Sequence, residues 1–200
     1  VWAVEQPSGG ATTLVRFSDF RRLDLVFHRL SELPQIATWG ASLLWPGHQV
    51  LFSHTPDIDA ALNQPFLRPT PPTYDAVGFD RMVNAYWFAA GVAVYKVVRA
   101  DLLIGLHLAL ELEQQCLLLG MMLRDRDVGT THHRDGNGGG PYVERLRGAQ
   151  QEYTAAGILR IIEACAIEFD ALAAQYGASY VEHRHPLLRN IAEARSTLSA

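Results

Sequence analysis

Residues 65–72 read Pro65-Phe66-Leu67-Arg68-Pro69-Thr70-Pro71-Pro72, and four prolines in eight positions decide how the chain is divided. Each proline fixes its own φ, removes a backbone donor and pushes the residue before it out of helical space, so no helix or strand runs through the segment. It reads as a stiff connector between units of different texture. The expected division is residues 1–66 as a β-sheet domain, 67–72 as the connector and 73–200 as a helical bundle, an α+β protein.

Upstream of the prolines the texture is that of short strands. Val1–Val4, Thr13–Phe17, Arg22–Phe27 and Gln49–Phe52 are apolar segments separated by Pro7-Ser8-Gly9-Gly10, by Ser18–Arg21 and by the loop around Pro46-Gly47. In Arg22-Leu23-Asp24-Leu25-Val26-Phe27-His28, period-two alternation puts Leu23, Leu25 and Phe27 on one face, taken as the core face, and Asp24, Val26 and His28 on the other. Thr55-Pro56-Asp57-Ile58-Asp59 has a cap residue, a proline suited to the first helical position and acids in the first turn, so a short helix is expected through Leu62. The Asp57/Asp59 pair is read as helix-start chemistry, not as a metal pair.

Downstream, apolar residues recur at helical spacing over about 73–98, 100–125, 149–176 and 186–198, which makes four helices. Thr130–Gly140, with His132-His133-Arg134-Asp135 running into a glycine tract, is expected to be a polar loop. Its adjacent histidines lack the spacing that metal ligands need. His183-Arg184-His185-Pro186 reads as a connector before the last helix, and His107, alone on an apolar helix, as a core or cleft histidine.

The charge balance limits the partners. The formal net charge of −4 divides as −1 over residues 1–70 and −3 beyond, so neither half offers the basic surface that DNA or RNA requires. Two cysteines, Cys116 and Cys165, lie in apolar helical stretches and read as reduced core residues, which makes a cytoplasmic location the expectation. The apolar stretch Leu102–Leu110 is broken by Gly105 and His107 and followed by Glu111 and Glu113, so neither a signal peptide nor a membrane span is expected.

Asp24 is the first candidate for chemistry, because a carboxylate between two leucines must be paired, bind a metal or face a cleft. On periodicity alone, such an aspartate is more often solvated or ion-paired to a neighbour such as Arg16 or Arg22 than catalytic.

The order of segments adds to this. A strand, a Pro/Gly turn, Thr13-Leu14-Val15-Arg16-Phe17, a polar turn and Arg22-Leu23-Asp24-Leu25-Val26-Phe27 together resemble the middle of the polymerase-β-like nucleotidyltransferases, in particular the aminoglycoside (streptomycin) and lincosamide adenylyltransferase group. Gln49–Phe52 with the Thr55-Pro56 helix is similar to that family's valine-leucine-leucine-aspartate-lysine-aspartate segment. Ala85-Tyr86-Trp87-Phe88 and Tyr95-Lys96-Val97-Val98-Arg99-Ala100-Asp101-Leu102-Leu103 are similar to its aromatic-rich helix and the turn that follows.

The resemblance implies a partial nucleotidyltransferase mixed sheet followed by an all-α bundle. It implies transfer of a nucleoside monophosphate from ATP to a hydroxyl of a small molecule such as an aminoglycoside or lincosamide, a role in antibiotic resistance, with Mg²⁺ as cofactor. Asp24 would then be the catalytic and metal-binding carboxylate. The family's upstream Gly-Ser turn and Asp-x-Asp pair have no counterpart here, and the chain opens on Val1 in what reads as mid-strand, so a fragment unable to complete the site is expected. The alternative is a non-catalytic α+β binding or interaction module. The expected partners are a nucleoside triphosphate and a small hydroxyl compound, with no nucleic acid or membrane, and a homodimer is permitted.

Further candidates follow from the helices. Lys96, the only lysine against sixteen arginines, shares a helix face with Arg99, and the pair would hold the triphosphate or simply form a solvated face. Glu111 and Glu113 point to different sides of their helix, so at most one faces a cleft. Glu111 or Asp80 would attract a cationic acceptor, and Tyr86 and Trp87 would add aromatic contacts.

Overall fold

The structure, a computed structural model, describes residues 1, 3–5, 12–19, 21–38, 50–54, 58–62, 73–128, 140–146 and 152–199. The chain separates into two compact units, Val1–Pro69 and Thr70–Ala200. The architecture is α+β, a small sheet followed by a largely helical region. The proline-rich connector itself lies outside the described residues.

In the first unit, strands β1 (Ala3–Glu5), β2 (Thr12–Arg16) and β3 (Arg22–Val26) form an antiparallel sheet in the order β1-β2-β3. The expected mixed sheet is therefore not what the described strands make. β2 and β3 form a hairpin, in which the Phe17 amide donates to the Arg21 carbonyl at 3.0 Å and the Arg21 guanidinium lies 5.4 Å from the Phe17 ring centroid. A 3₁₀ segment over Leu30–Thr38 and a short helix α1 (Ile58–Leu62) follow, the latter ending where the sequence places it. Val50, Leu51 and Phe52 form no strand, and Leu51 and Phe52 are exposed, so the fourth expected strand is absent among the described residues.

The facing of β3 is the main correction in this unit. The register sets Val15 opposite Val4 and Leu23, and Thr13 opposite Leu25, so these share one face, while Leu14, Arg16, Arg22 and Asp24 share the other. Leu23, Leu25 and Phe27 are 44%, 40% and 64% exposed, so the face expected to be the core is the open one, and Asp24 is the more sheltered neighbour.

The second unit is built on helices α2 (Ala76–Val98), α3 (Leu102–Val128), α5 (Ala155–Tyr176) and α6 (Arg184–Ser199), with a short α4 (Gly140–Arg145) before α5. The four long helices match the four apolar-periodic segments. Asp75 caps α2 by accepting from the Gly78 amide at 2.6 Å, and Thr154 caps α5 by accepting from the Gly157 amide at 3.1 Å. Gly157 is required there, since a Cβ would sit 1.7 Å from the Glu152 carbonyl oxygen.

Every buried residue among those described belongs to this unit. Val97, Ala109, Leu112, Leu119, Leu123, Ile158, Ile162 and Phe169 are among those that fill its core, with α3 packed chiefly on α5 and α2. Leu102–Asp127 is long and apolar enough to cross a bilayer by length and composition, yet its Ala109, Leu112, Cys116, Leu119 and Leu123 are spent on this core. Cys116 and Cys165 are both buried free thiols, as expected. His107, by contrast, is exposed and not in the core.

The α2–α3 corner is tight. The chain reverses over Arg99–Asp101, with Ala100 at φ 58°, and Gly105 packs so closely that a Cβ would lie 2.9 Å from a Val97 methyl. The two helices run antiparallel from that point and define the surface described next.

Candidate functional site

Asp24 projects from the middle of β3, and both of its oxygens are occupied. Arg16 Nη1 donates to Oδ1 at 2.9 Å, while Arg22 approaches Oδ2 through Nε at 2.9 Å and Nη2 at 2.5 Å. The register dictates this, because Arg16 stands opposite Arg22 and Leu14 opposite Asp24, on one face. Partial burial alone pushes the Asp24 carboxyl up, but the hydrogen bonds and charges of Arg16 and Arg22 outweigh it and hold the group below the ordinary aspartate value.

A divalent cation fits poorly there. Two guanidiniums flank one carboxylate, and among the described residues no three His, Cys, Asp or Glu side chains come together to hold a metal. Among the described residues Asp24 is thus ion-paired to Arg16 and Arg22.

The second unit contains a groove of about 500 Å³ between α2 and α3. Gly78, Met82, Ala85 and Ala89 recur along α2 at helical spacing, and their small or flexible side chains leave the space that Leu112 on α3 does not fill. Tyr86, 3% exposed, closes the wall, and its buried hydroxyl lies 3.9 Å from Cys116 Sγ. The polar groups sit at the rim: Tyr74 and Arg81 on the α2 side, and Glu111 and Gln115 on α3. Arg81 and Glu111 are exposed and make no ion pair or hydrogen bond with any described residue.

The sequence-derived candidates distribute unevenly. Glu111 and Tyr86 line this groove, while Glu113 does not, as the helical geometry required. Asp80 lines a smaller cavity of about 230 Å³ with Asn84, Tyr180 and His183. Trp87 packs inside an aromatic group and donates from Nε1 to the Tyr180 hydroxyl at 3.2 Å. Lys96 is ion-paired to Asp101 at 3.0 Å, and Arg99 donates to the Tyr95 hydroxyl at 2.8 Å, so both serve the helix corner. The His132/His133 loop lies outside the described residues.

Asp170, Tyr180 and Glu168 were not singled out from the sequence. Asp170, 2% exposed, accepts from the Tyr180 hydroxyl at 2.5 Å and the His183 amide at 3.1 Å, with Arg184 Nε at 3.8 Å. This buried carboxylate pins the connector between α5 and α6, and burial together with the Asp170 hydrogen bond pushes the Tyr180 phenol well above its ordinary value. Burial likewise pushes the Glu168 carboxyl up against the pull of Arg145, 3.4 Å away. The neighbouring Cys116 and burial drive the Cys165 thiol far up, so it stays protonated and unreactive.

No family model matches the chain, and no curated protein matches it. The nucleotidyltransferase resemblance therefore rests on the residues quoted for it.

Proposed function

We infer that the protein is a small-molecule-binding α+β protein whose ligand occupies the α2–α3 groove. The observation that carries this reading is the groove itself: about 500 Å³, an apolar floor and a few polar groups at the rim, which is the usual make-up of a ligand site. Titration of the isotopically labelled chain with phenethylamine, an aromatic amine suited to that floor and to Glu111, tests it. The expected result is saturable shifts of the Gly78, Ala89 and Gln115 amides that disappear in Ala85→Trp, which fills the groove. Shifts scattered over the surface, or unchanged in Ala85→Trp, would remove the groove as the site.

A second reading is that the bound molecule is the acceptor of a nucleotidyl transfer. It is favoured by one fact: Glu111 and Tyr86, both expected from the sequence to contact an acceptor, line the same groove. On this reading ATP donates the nucleoside monophosphate, Lys96 and Arg99 leave their present partners to meet the triphosphate, and Asp24 leaves its arginines. Calorimetry with Mg-ATP and a transfer assay using labelled ATP with an aminoglycoside or a lincosamide separate the readings. Labelled product that is lost in Asp24→Asn supports transfer, whereas groove binding without nucleotide binding leaves the binding module.

A further inference from the structure

The α2–α3 groove carries one positive and one negative group, and the helix corner fixes the offset of their backbone positions along the two helices. Counting from Ala100, Ala89 and Glu111 are equally distant along the two antiparallel helices, and so are Ala85 and Gln115. Contacts agree with this register: Gly105 packs against Val97 and Ala93, and the Tyr86 hydroxyl meets Cys116. Glu111 is therefore level with Ala89, while Arg81 lies about two turns farther from the corner, a backbone offset along the helix axis of about 12 Å at 1.5 Å per residue.

Opposite charges that bond to each other across a groove would neutralise themselves and close it. Arg81 and Glu111 do not, and neither pairs with any other described residue. Between them lies an apolar floor of Met82, Ala85, Ala89 and Leu112 beside the Tyr86 ring, with Gln115 level with the midpoint. Such a slot discriminates by its ends: a neutral or singly charged molecule leaves one end unanswered.

We propose that the groove takes an elongated zwitterion, its amine at Glu111, its anionic terminus at Arg81 and its apolar body over the floor between them. This rests on the reading of the groove as the ligand site. A carboxylate and a phosphate share the chemistry that Arg81 recognises. An extended tripeptide spans about 10 Å, comparable with that axial offset.

The test uses the full chain and the free tripeptide Ala-Phe-Ala, followed by amide shifts of Gly78, Ala85, Ala89 and Gln115. Beside it are run the N-acetylated, the C-amidated and the doubly blocked forms, and 6-aminohexyl phosphate as the phosphate arm. The expected result is saturable binding of the free tripeptide, weakened about fivefold by each block, the size of a solvent-exposed charge contact. Arg81→Gln should abolish the penalty of C-amidation alone, and Glu111→Gln that of N-acetylation alone. Both residues are exposed, so neither change disturbs the core, and unchanged thermal unfolding checks this. Tighter binding of the aminohexyl phosphate than of the tripeptide would identify the anionic terminus as phosphate, and weaker binding as carboxylate.

Equal binding of all four peptide forms, with groove shifts still abolished by Ala85→Trp, would overturn the zwitterion while leaving a ligand groove. Penalties relieved by the opposite variants would reverse the polarity and overturn the assignment of ends. If neither the peptides nor phenethylamine shift the groove amides, the ligand site fails together with the zwitterion.

Discussion

The rings of Tyr86 and Phe169 stack face to face, with centroids 3.5 Å apart and planes within 4° of parallel. Trp87 stands edge-on to both, at 5.2 Å from Tyr86 and 5.8 Å from Phe169. Aromatic pairs left to their quadrupoles prefer an offset, so this closely superposed stack is imposed by the packing around it. Its consequence is positional: the residue that closes the α2–α3 groove is held from behind by a core residue of α5.

Phe169 is fully buried, so truncating it removes both transfer energy and a packed neighbour. Phe169→Ala is expected to cost about 3–5 kcal/mol in urea unfolding, and Phe169→Leu, which preserves most of the volume, about 1 kcal/mol. Phe169→Leu should also weaken phenethylamine binding, because Tyr86 loses its backing. A cost below 1 kcal/mol for the alanine variant would show that the stack is not the centre of the core.

The helical half was legible because its segments are long, and repeated apolar positions at period 3.6 leave little choice. The sheet was legible in outline only. Alternation along Leu23-Asp24-Leu25 states which side chains share a face, but what covers each face depends on residues far away, and the leucine face proved to be the open one. Val50–Phe52 shows the other limit, since a three-residue apolar run has no period to read. Half of the groove was within reach of the sequence: Gly78, Ala85 and Ala89 keep helical spacing, and Glu111 and Tyr86 were chosen as contacts. Arg81 and Gln115 were not, because only the turn at Ala100 sets the register that brings them to the same slot, and an alanine gives no signal of a left-handed conformation.

Asp24 gives a dependence on pH whose sign follows from its two arginines. Its folded pKa is held below the unfolded value, so the charged form is favoured by folding, and the stabilisation is present at pH values above the ordinary aspartate range. It is lost as pH falls through the lowered folded value. The carboxylate is partly exposed, so Asp24→Asn is expected to cost no more than about 1 kcal/mol in the first unit at neutral pH. The gap between wild type and variant should narrow once pH falls below the ordinary aspartate value and close only below the lowered folded value. Denaturant melts at pH 7 and pH 3, read from a probe in the sheet such as the amides of Leu14 and Leu25, check this. A gap that does not narrow in acid would mean that Asp24 acts through something other than its pairing with Arg16 and Arg22.

Ala100 occupies the left-handed region at φ 58°, between a helix closed by the Arg99 amide donating to the Tyr95 carbonyl and the Ala100 amide donating to the Val97 carbonyl, and a helix entered through Asp101. An L-residue with a Cβ pays about 1–2 kcal/mol for that conformation, and glycine does not, although glycine also gains freedom in the unfolded chain. Ala100→Gly is therefore expected to stabilise the protein by about 0.5–1 kcal/mol, seen as a higher urea midpoint at unchanged slope. Ala100→Val should destabilise it by more than that, since a β-branched side chain fits this region worst. Because the turn keeps its shape in the glycine variant, Ala89 stays level with Glu111 and phenethylamine binding should be unchanged. A midpoint that does not rise would indicate that the corner takes another conformation in solution, and the groove register that depends on it would move with it.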